Sequence, residues 1–360
     1  MRILIIQQKM IGDVLISTLL CKNLKLWNPK VHIDFVANTH TLEVIQNNPY
    51  IDEVVVFDDG FKTDKWGLFR FLLQQQKKNY DYIIDAYGKL ESQLICLFTP
   101  AKIKIGYKKT FTSLLYDFPI KRKQLQEDKL QLSIKNRFQL LEPIMGNFPK
   151  NRDVEICLTA EEIAATRQKF DRELGLGKQA IMVAAMGSSP EKTYPLDQMA
   201  QLLNTTFQTT KLNLILNYRP DQGNAVDTLI QLLNEDTQKA IVKSLTPHSL
   251  RDFIATTHHC LAVVGNEGGA INIAKGLNKP TFAIFSPIID PAGWHTEIHN
   301  KNMAVHLHSF FPEKIDFKNH RKLQKNPHKI KNLYREFKPE LFENRWIGFL
   351  KNAIGQPTKE

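Results

Sequence analysis

Long apolar runs are missing from this chain of 360 residues; none reaches the roughly 18 residues that a membrane-spanning helix needs. Cysteine is scarce. The four present, Cys21, Cys96, Cys157 and Cys260, are far apart and show no CxxC spacing, which argues against a zinc site or a disulfide framework and for buried thiols. The N-terminal apolar stretch is only "ILII" and gives way to a Gly-Asp pair, so the pattern of a secretory signal is lacking and a cytoplasmic location is expected. The glycine-rich GxGxxG of a dinucleotide fingerprint is absent as well, since "QQKMIGDV" offers one glycine, and no GxxxxGK[ST] occurs. Zinc-finger spacing and RRM-type aromatics are likewise lacking, so nucleic acid is not expected as a partner.

What the chain does have is length, ordinary globular composition and basic charge. At 42% hydrophobic and 24% charged it reads as a folded protein, and 360 residues suit two cores better than one. Net charge is +11, and the excess is clumped: Lys102, Lys104, Lys108 and Lys109, then Lys121, Arg122 and Lys123, then six Lys/Arg without an acid in "KNHRKLQKNPHKIKN" (318 to 332). Such surfaces favour polyanions, phosphorylated lipid headgroups and nucleotides among them, although a solvated basic face has the same composition.

Short Ile/Val-rich runs alternate with amphipathic segments, the pattern of parallel sheets covered on both faces. "RILIIQ", "VHIDFVA", "DEVVVF" and "YDYIIDA" are expected strands of a first unit, with helices after each. "AIMVAAM", "KLNLILN", "KAIVKSL", "CLAVVG" and "PTFAIFS" are those of a second, with helices near 195 to 205, 222 to 234, 247 to 256 and 269 to 277. The fold class is therefore α/β with two doubly wound, Rossmann-like domains. The expected bounds are 1–158, a linker helix at 159–175, a second domain at 176–310, and a basic segment with a terminal helix at 311–360. Ligands gather at the carboxyl ends of parallel strands, so a cleft between the domains is the expected site.

Three loops at strand ends could carry chemistry. Asp13 opens the first helix, either as an N-cap or first-turn acid complementing the helix dipole or as a general base for a bound hydroxyl. "AAMGSSPEKTYP" sets Gly187, Ser188 and Ser189 in a turn with Lys192 just beyond, which suits a phosphate or is a plain serine-rich surface turn. In "VVGNEGGAINIAKGLNKP" a strand ends in a tight turn, where Gly268 and Gly269 would admit a diphosphate or sugar ring and Glu267 could accept from sugar hydroxyls. A bare strand-turn-helix connection fits the same residues.

Taken together, "IGDVLISTL", "NPYIDEVVVF", "MGSSPEKTYP" and "GNEGGAINIAKGLNKP" resemble, in order and spacing, the motifs of glycosyltransferase family 9, the ADP-heptose:lipopolysaccharide heptosyltransferases. The resemblance implies a GT-B fold and inverting transfer of a sugar from a nucleotide-diphosphate sugar to an anionic glycolipid. It places the acceptor on the first domain and the donor on the second. Asp13 would be the general base, with Gly12 and Lys9 on the acceptor side, and Lys192 would stabilise the departing diphosphate. The donor set would be Gly187, Ser188, Ser189, Gln222, Glu267, Gly268, Gly269 and Asn272. No cofactor or dedicated metal is expected, and the basic face would hold the protein on the inner face of the cytoplasmic membrane.

Three departures bear on the sugar. The family's Asp-Thr-Gly is Glu267-Gly268-Gly269 here, its following histidine is Asn272, and an acid thought to hold the ribose is Gln222. The same fold acting on another nucleotide sugar or surface glycan is the first alternative; a non-catalytic nucleotide-sugar or lipid-binding protein is the second. The loops at about 58 to 66 and 106 to 130 would meet the acceptor.

Overall fold

A computed structural model describes residues 1–109, 113–124, 130–298, 301–317 and 323–355. The residues outside it include 318–322 of the basic stretch and 110–112 and 125–129 of the expected acceptor loop. The chain divides into two compact units, 1–157 and 158–360.

The first unit is built on six parallel strands, β1 (Arg2–Ile6), β2 (His32–Asn38), β3 (Glu53–Phe57), β4 (Tyr80–Asp85), β5 (Ala101–Tyr107) and β6 (Phe118–Ile120), in the order β3-β2-β1-β4-β5-β6. The unbroken apolar run of β1 follows from its central place: Ile3, Leu4, Ile5 and Ile6 are all fully buried between two helical layers. Helices α1 (Ile11–Trp27), α2 (Leu42–Ile45), α3 (Lys65–Gln76), α4 (Leu90–Phe98) and α5 (Leu132–Met145) supply the cover. The last two strands do not stand out in the sequence. In β5 the apolar Ile103 and Ile105 alternate with Lys102 and Lys104, so the lysines read as a basic clump rather than as the outward positions of a near-edge strand.

The second unit holds five parallel strands, β7 (Ala180–Ala184), β8 (Asn213–Asn217), β9 (Ala262–Asn266), β10 (Thr281–Ile284) and β11 (Asn302–Val305), in the order β11-β10-β9-β7-β8. "KAIVKSL" is not a strand. Helix α9 (Glu235–Lys239) runs into it, Ile241 makes one isolated bridge to Leu214, and Lys243–Leu245 curls into a 3-10 turn, leaving no length for a ladder. Helices α6 (Ala160–Leu174), α7 (Leu196–Thr210), α8 (Gly223–Gln231), α10 (Leu250–His259) and α11 (Gly269–Gly276) complete the layers.

The segment expected as a linker helix belongs to this second body. Thr159 and Glu162 cap α6 reciprocally, and Glu162 receives Arg251 of α10 at 2.5 Å. The C-terminal segment packs on the body and joins its core. Helices Pro327–Glu336 and Glu343–Gly355 bury Tyr334, Trp346, Phe349 and Leu350 with Phe282 of β10, and the Trp346 indole donates to Thr206 Oγ1 at 2.9 Å. No helix among the described residues is long and apolar enough to cross a membrane.

Candidate active site

The strand order of each sheet reverses once, and all the candidate residues but Gln222 follow strands that flank those points. In the first unit the reversal lies between β1 and β4, in the second between β7 and β9. Gly12, Lys9 and Asp13 follow β1; Gly187 to Lys192 follow β7, Gln222 follows β8, and Glu267 to Asn272 follow β9.

Asp13 stands in the first turn of α1, whose N-cap position is Met10 with φ of 65° and no side-chain cap. The N-cap reading of Asp13 thus falls, and its side chain is held otherwise. Arg137 of α5, itself buried, donates from Nη2 to Asp13 Oδ1 at 2.6 Å. The rest of the fork is fixed by Ser17 Oγ at 3.0 Å, the Ser133 carbonyl at 3.1 Å and Gln7 Oε1 at 3.4 Å. Asp13 remains about one-quarter exposed, at 24%, and Oδ2 has no hydrogen-bond partner among the described residues. The arrangement is an oriented carboxylate with one oxygen free. Gly12 is buried in the same turn, and Lys9 is paired with Glu91 of α4 at 2.9 Å. Behind it, burial pushes the carboxyl of Asp85 up, although Gly88 N–H, Ser92 and Tyr116 all donate to it.

Gly187 is required by its neighbours, because a Cβ there would stand 2.2 Å from the Lys192 carbonyl oxygen. Its N–H donates to Thr193 Oγ1 at 3.1 Å, and Thr193 Oγ1 donates to the Ser189 carbonyl at 2.9 Å, closing the turn on itself. Gln222 donates to the Gly187 carbonyl at 2.9 Å while its Oε1 accepts from Arg219 N–H, and Arg219 Nη1 reaches the Ser188 carbonyl at 3.3 Å. The Gln222 amide therefore braces the turn from β8. Lys192 ends a 3-10 turn, Pro190–Lys192, and its ammonium has no hydrogen bond or ion pair among the described residues.

Asn266, at the end of β9, joins the two loops. Its amide donates to the carbonyls of Ala184 and Ala185 at 3.0 and 2.8 Å, and its Oδ1 accepts from Tyr194 N–H at 2.7 Å. The next residue, Glu267, has a side chain with no hydrogen bond among the described residues. Burial raises its carboxyl, and the ammoniums of Lys192 and Lys275 pull the other way. Gly268 follows at φ of 149°, a conformation closed to the threonine of the family pattern, and α11 starts at Gly269. Asn272 turns its amide back to the Gly268 carbonyl at 3.2 Å. In the last turn of α11, burial lowers the Lys275 ammonium to about 8, with Glu267 opposing, and its Nζ donates to the Trp294 carbonyl at 3.3 Å. His295 beside it is pushed down to about 3 by burial and by Lys275.

Arg137 carries no motif that marks it, whereas Asn266 and Lys275 lie within "GNEGGAINIAKGLNKP" without their partners being legible there. Arg137 is 124 residues from its carboxylate; a charged residue in the apolar-periodic α5 is the one trace it leaves. Among the described residues, the cluster of side chains able to share a metal, His32, Asp34 and Glu53, lies at the opposite rim of the first sheet. There Arg2 pairs with Asp34 and Glu53 at 2.7 and 2.9 Å and Lys78 with Glu53 at 2.7 Å, so its carboxylates are already balanced.

Known proteins share a family and a fold with this chain. The model of "Glycosyltransferase family 9 (heptosyltransferase)" matches residues 68–326. The lipooligosaccharide heptosyltransferase 2 of Haemophilus influenzae is 24% identical over 296 residues, covering 80% of this chain and 84% of that protein. Among solved structures, a glycosyl transferase family 9 protein of Veillonella parvula superposes with a TM-score of 0.69 at 17% identity, over 93% of this chain and 97% of its own. The ADP-heptose LPS heptosyltransferase II of E. coli gives 0.66 at 16% identity, over 93% and 99%. This chain belongs to glycosyltransferase family 9, the heptosyltransferases, and is a glycosyltransferase of the GT-B fold.

Proposed function

We propose that the protein transfers heptose from ADP-heptose to a lipopolysaccharide core acceptor with inversion at the anomeric carbon. The observation that carries this reading is the Asp13 carboxylate, oriented through Oδ1 by Arg137 and free at Oδ2. Oδ2 takes the proton of the acceptor hydroxyl while that oxygen attacks the anomeric carbon. The bond from that carbon to the diphosphate breaks on the opposite face, and the nucleoside diphosphate leaves with the electron pair. Lys192, unpaired among the described residues and beside a tight turn that Gly187 permits, balances the charge that builds on the leaving oxygens. Ser188, Ser189 and the N-terminus of α11 at Gly268 and Gly269 supply further donors for the phosphates, and Glu267 accepts from sugar hydroxyls. No metal or cofactor enters this scheme. The donor follows the E. coli protein, whose name specifies ADP-heptose, and the acceptor follows the Haemophilus relative. The net charge of +11 supports a position at the inner, cytoplasmic face of the membrane, where a lipid-borne acceptor is presented.

Asp13→Asn tests the base. It keeps the bond to Arg137 within reach, so the variant should bind ADP as the wild type does and lose about 10²- to 10⁴-fold in turnover. Turnover within a few-fold of wild type would remove Asp13 from the mechanism.

A second reading keeps the mechanism and changes the sugar. It is favoured by the cation Lys275 acting on Glu267 and by the glycine-only backbone at Gly268. A panel of nucleotide sugars separates the two: consumption of ADP-heptose above all others supports the first, and preference for another sugar supports the second.

A further inference from the structure

Helix α3 turns an apolar stripe to solvent between its polar residues. Its N-terminus is fixed by Asp64, which accepts from Gly67 N–H at 2.8 Å. Gly67, Phe71, Leu72 and Gln75 are its buried positions, and Phe71 and Leu72 pack on Val55, Phe57 and Tyr80. The opposite stripe, Trp66, Phe69 and Leu73 at spacings of three and four residues, is 76%, 44% and 38% exposed. On an ordinary surface helix these positions are polar. The rings of Trp66 and Phe69 meet edge to face at 6.2 Å, so they form one apolar prominence. Helix α4 packs beside α3 and buries Ile95 and Cys96 in the same cluster, while Leu90 and Leu97 are exposed on its outer side.

Beyond its Asp64 cap, the charge along α3 has one sign. Lys65, Arg70 and Lys77 are exposed along α3, and no Asp or Glu occurs from Lys65 to Lys78. Arg70 and Lys77 make no ion pair among the described residues, and Lys65 donates to the Lys62 carbonyl. An apolar stripe with aromatic residues and a basic margin has the composition of a helix that lies in the headgroup region of a bilayer. A protein partner would require matching acids, whereas an anionic leaflet supplies negative charge across the whole plane.

We propose that the outer face of α3 and α4 docks this protein on an anionic phospholipid leaflet, with Trp66, Phe69 and Leu73 entering the acyl boundary and Lys65, Arg70 and Lys77 at the headgroups. The inference deepens the reading of a lipid-borne acceptor and rests on it for its purpose. The test uses vesicles without any glycan, so it succeeds or fails independently of sugar transfer.

The experiment is co-sedimentation of the full chain with vesicles of phosphatidylethanolamine and phosphatidylglycerol, and with phosphatidylcholine vesicles. Wild type should partition to the anionic vesicles. Trp66→Ser/Phe69→Ser should lower the partition coefficient at least tenfold, with ADP binding unchanged as the check on folding. Arg70→Gln/Lys77→Gln should lower it about tenfold and reduce the preference for anionic lipid. Lipids brominated in the acyl chain should quench tryptophan fluorescence in wild type and not in Trp66→Phe. Equal binding by the serine variant, or quenching unchanged by Trp66→Phe, overturns the proposal. So does a dimer that forms without vesicles and dissociates in Phe69→Ser, which would make this face a contact between copies.

Discussion

Replacing Lys275 by methionine should stabilise the protein at neutral pH, and the gain should vanish as pH rises. In the folded chain burial brings this ammonium from 10.5 to about 8. Between those values the unfolded chain holds a proton that the folded chain has released, so wild-type stability increases with pH across that window. Below about pH 8 the ammonium is charged in both states and the full desolvation cost is paid. At about 1.4 kcal/mol per pH unit the displacement corresponds to about 3.5 kcal/mol; residual solvent contact reduces this, and about 2 kcal/mol is expected. Lys275→Met removes the charge while keeping most of the stem's volume. Urea unfolding of both proteins from pH 7 to 10.5 gives the difference directly. The variant should be more stable by about 2 kcal/mol at pH 7, and the two should converge toward pH 10.5. A difference that stays constant with pH, or a variant less stable at pH 7, would refute the claim that the buried ammonium is held at a cost. Such an ammonium would be kept for the field it places on Glu267, and weaker binding of the donor sugar by the variant is the functional counterpart.

Arg137→Lys keeps a charge but loses the planar fork that spans Ser17, Gln7 and Asp13, so turnover should fall about tenfold with the Michaelis constant for donor unchanged; Arg137→Met leaves Asp13 without its partner and should cost about 3 to 5 kcal/mol in urea unfolding. Asn266→Ala strands two carbonyls and one N–H at the end of β9 and should lower stability by about 2 to 4 kcal/mol. Gly187→Ala pushes a methyl into the Lys192 carbonyl and should weaken ADP binding measured by calorimetry, at a stability cost of about 1 to 3 kcal/mol.

The alternation of apolar runs and amphipathic segments made the two sheets legible, because a parallel strand buried on both faces must be apolar throughout. It failed where that condition lapses. Strand β5 has two lysines among its seven residues, β6 is Phe118–Ile120 with a proline in the middle, and β11 is a short run, Asn302–Val305. "KAIVKSL" failed in the other direction, since its apolar character serves one bridge beside β8 and not a ladder. At the site, position in the chain located Asp13, the Gly187 turn and the Glu267 loop, because strand ends are visible as breaks in apolar pattern. Their supports are not local. Arg137 reaches Asp13 from α5, Asn266 reaches Tyr194 across 72 residues, and only the folded chain brings these pairs together. Gln222, which the resemblance places at the donor, also braces the fold through the Gly187 carbonyl and the Arg219 N–H, a role no local pattern shows.

The two rims of the first sheet differ in how completely their charges are used. At the rim where strands begin, Asp34 is wholly buried and receives Arg2, Tyr80 and His32, while Glu53 takes Lys78. At the rim where strands end, Asp13 keeps one oxygen unspent. A lineage of this fold can thus exchange side chains around the reacting end without dismantling the ion pairs that close the other.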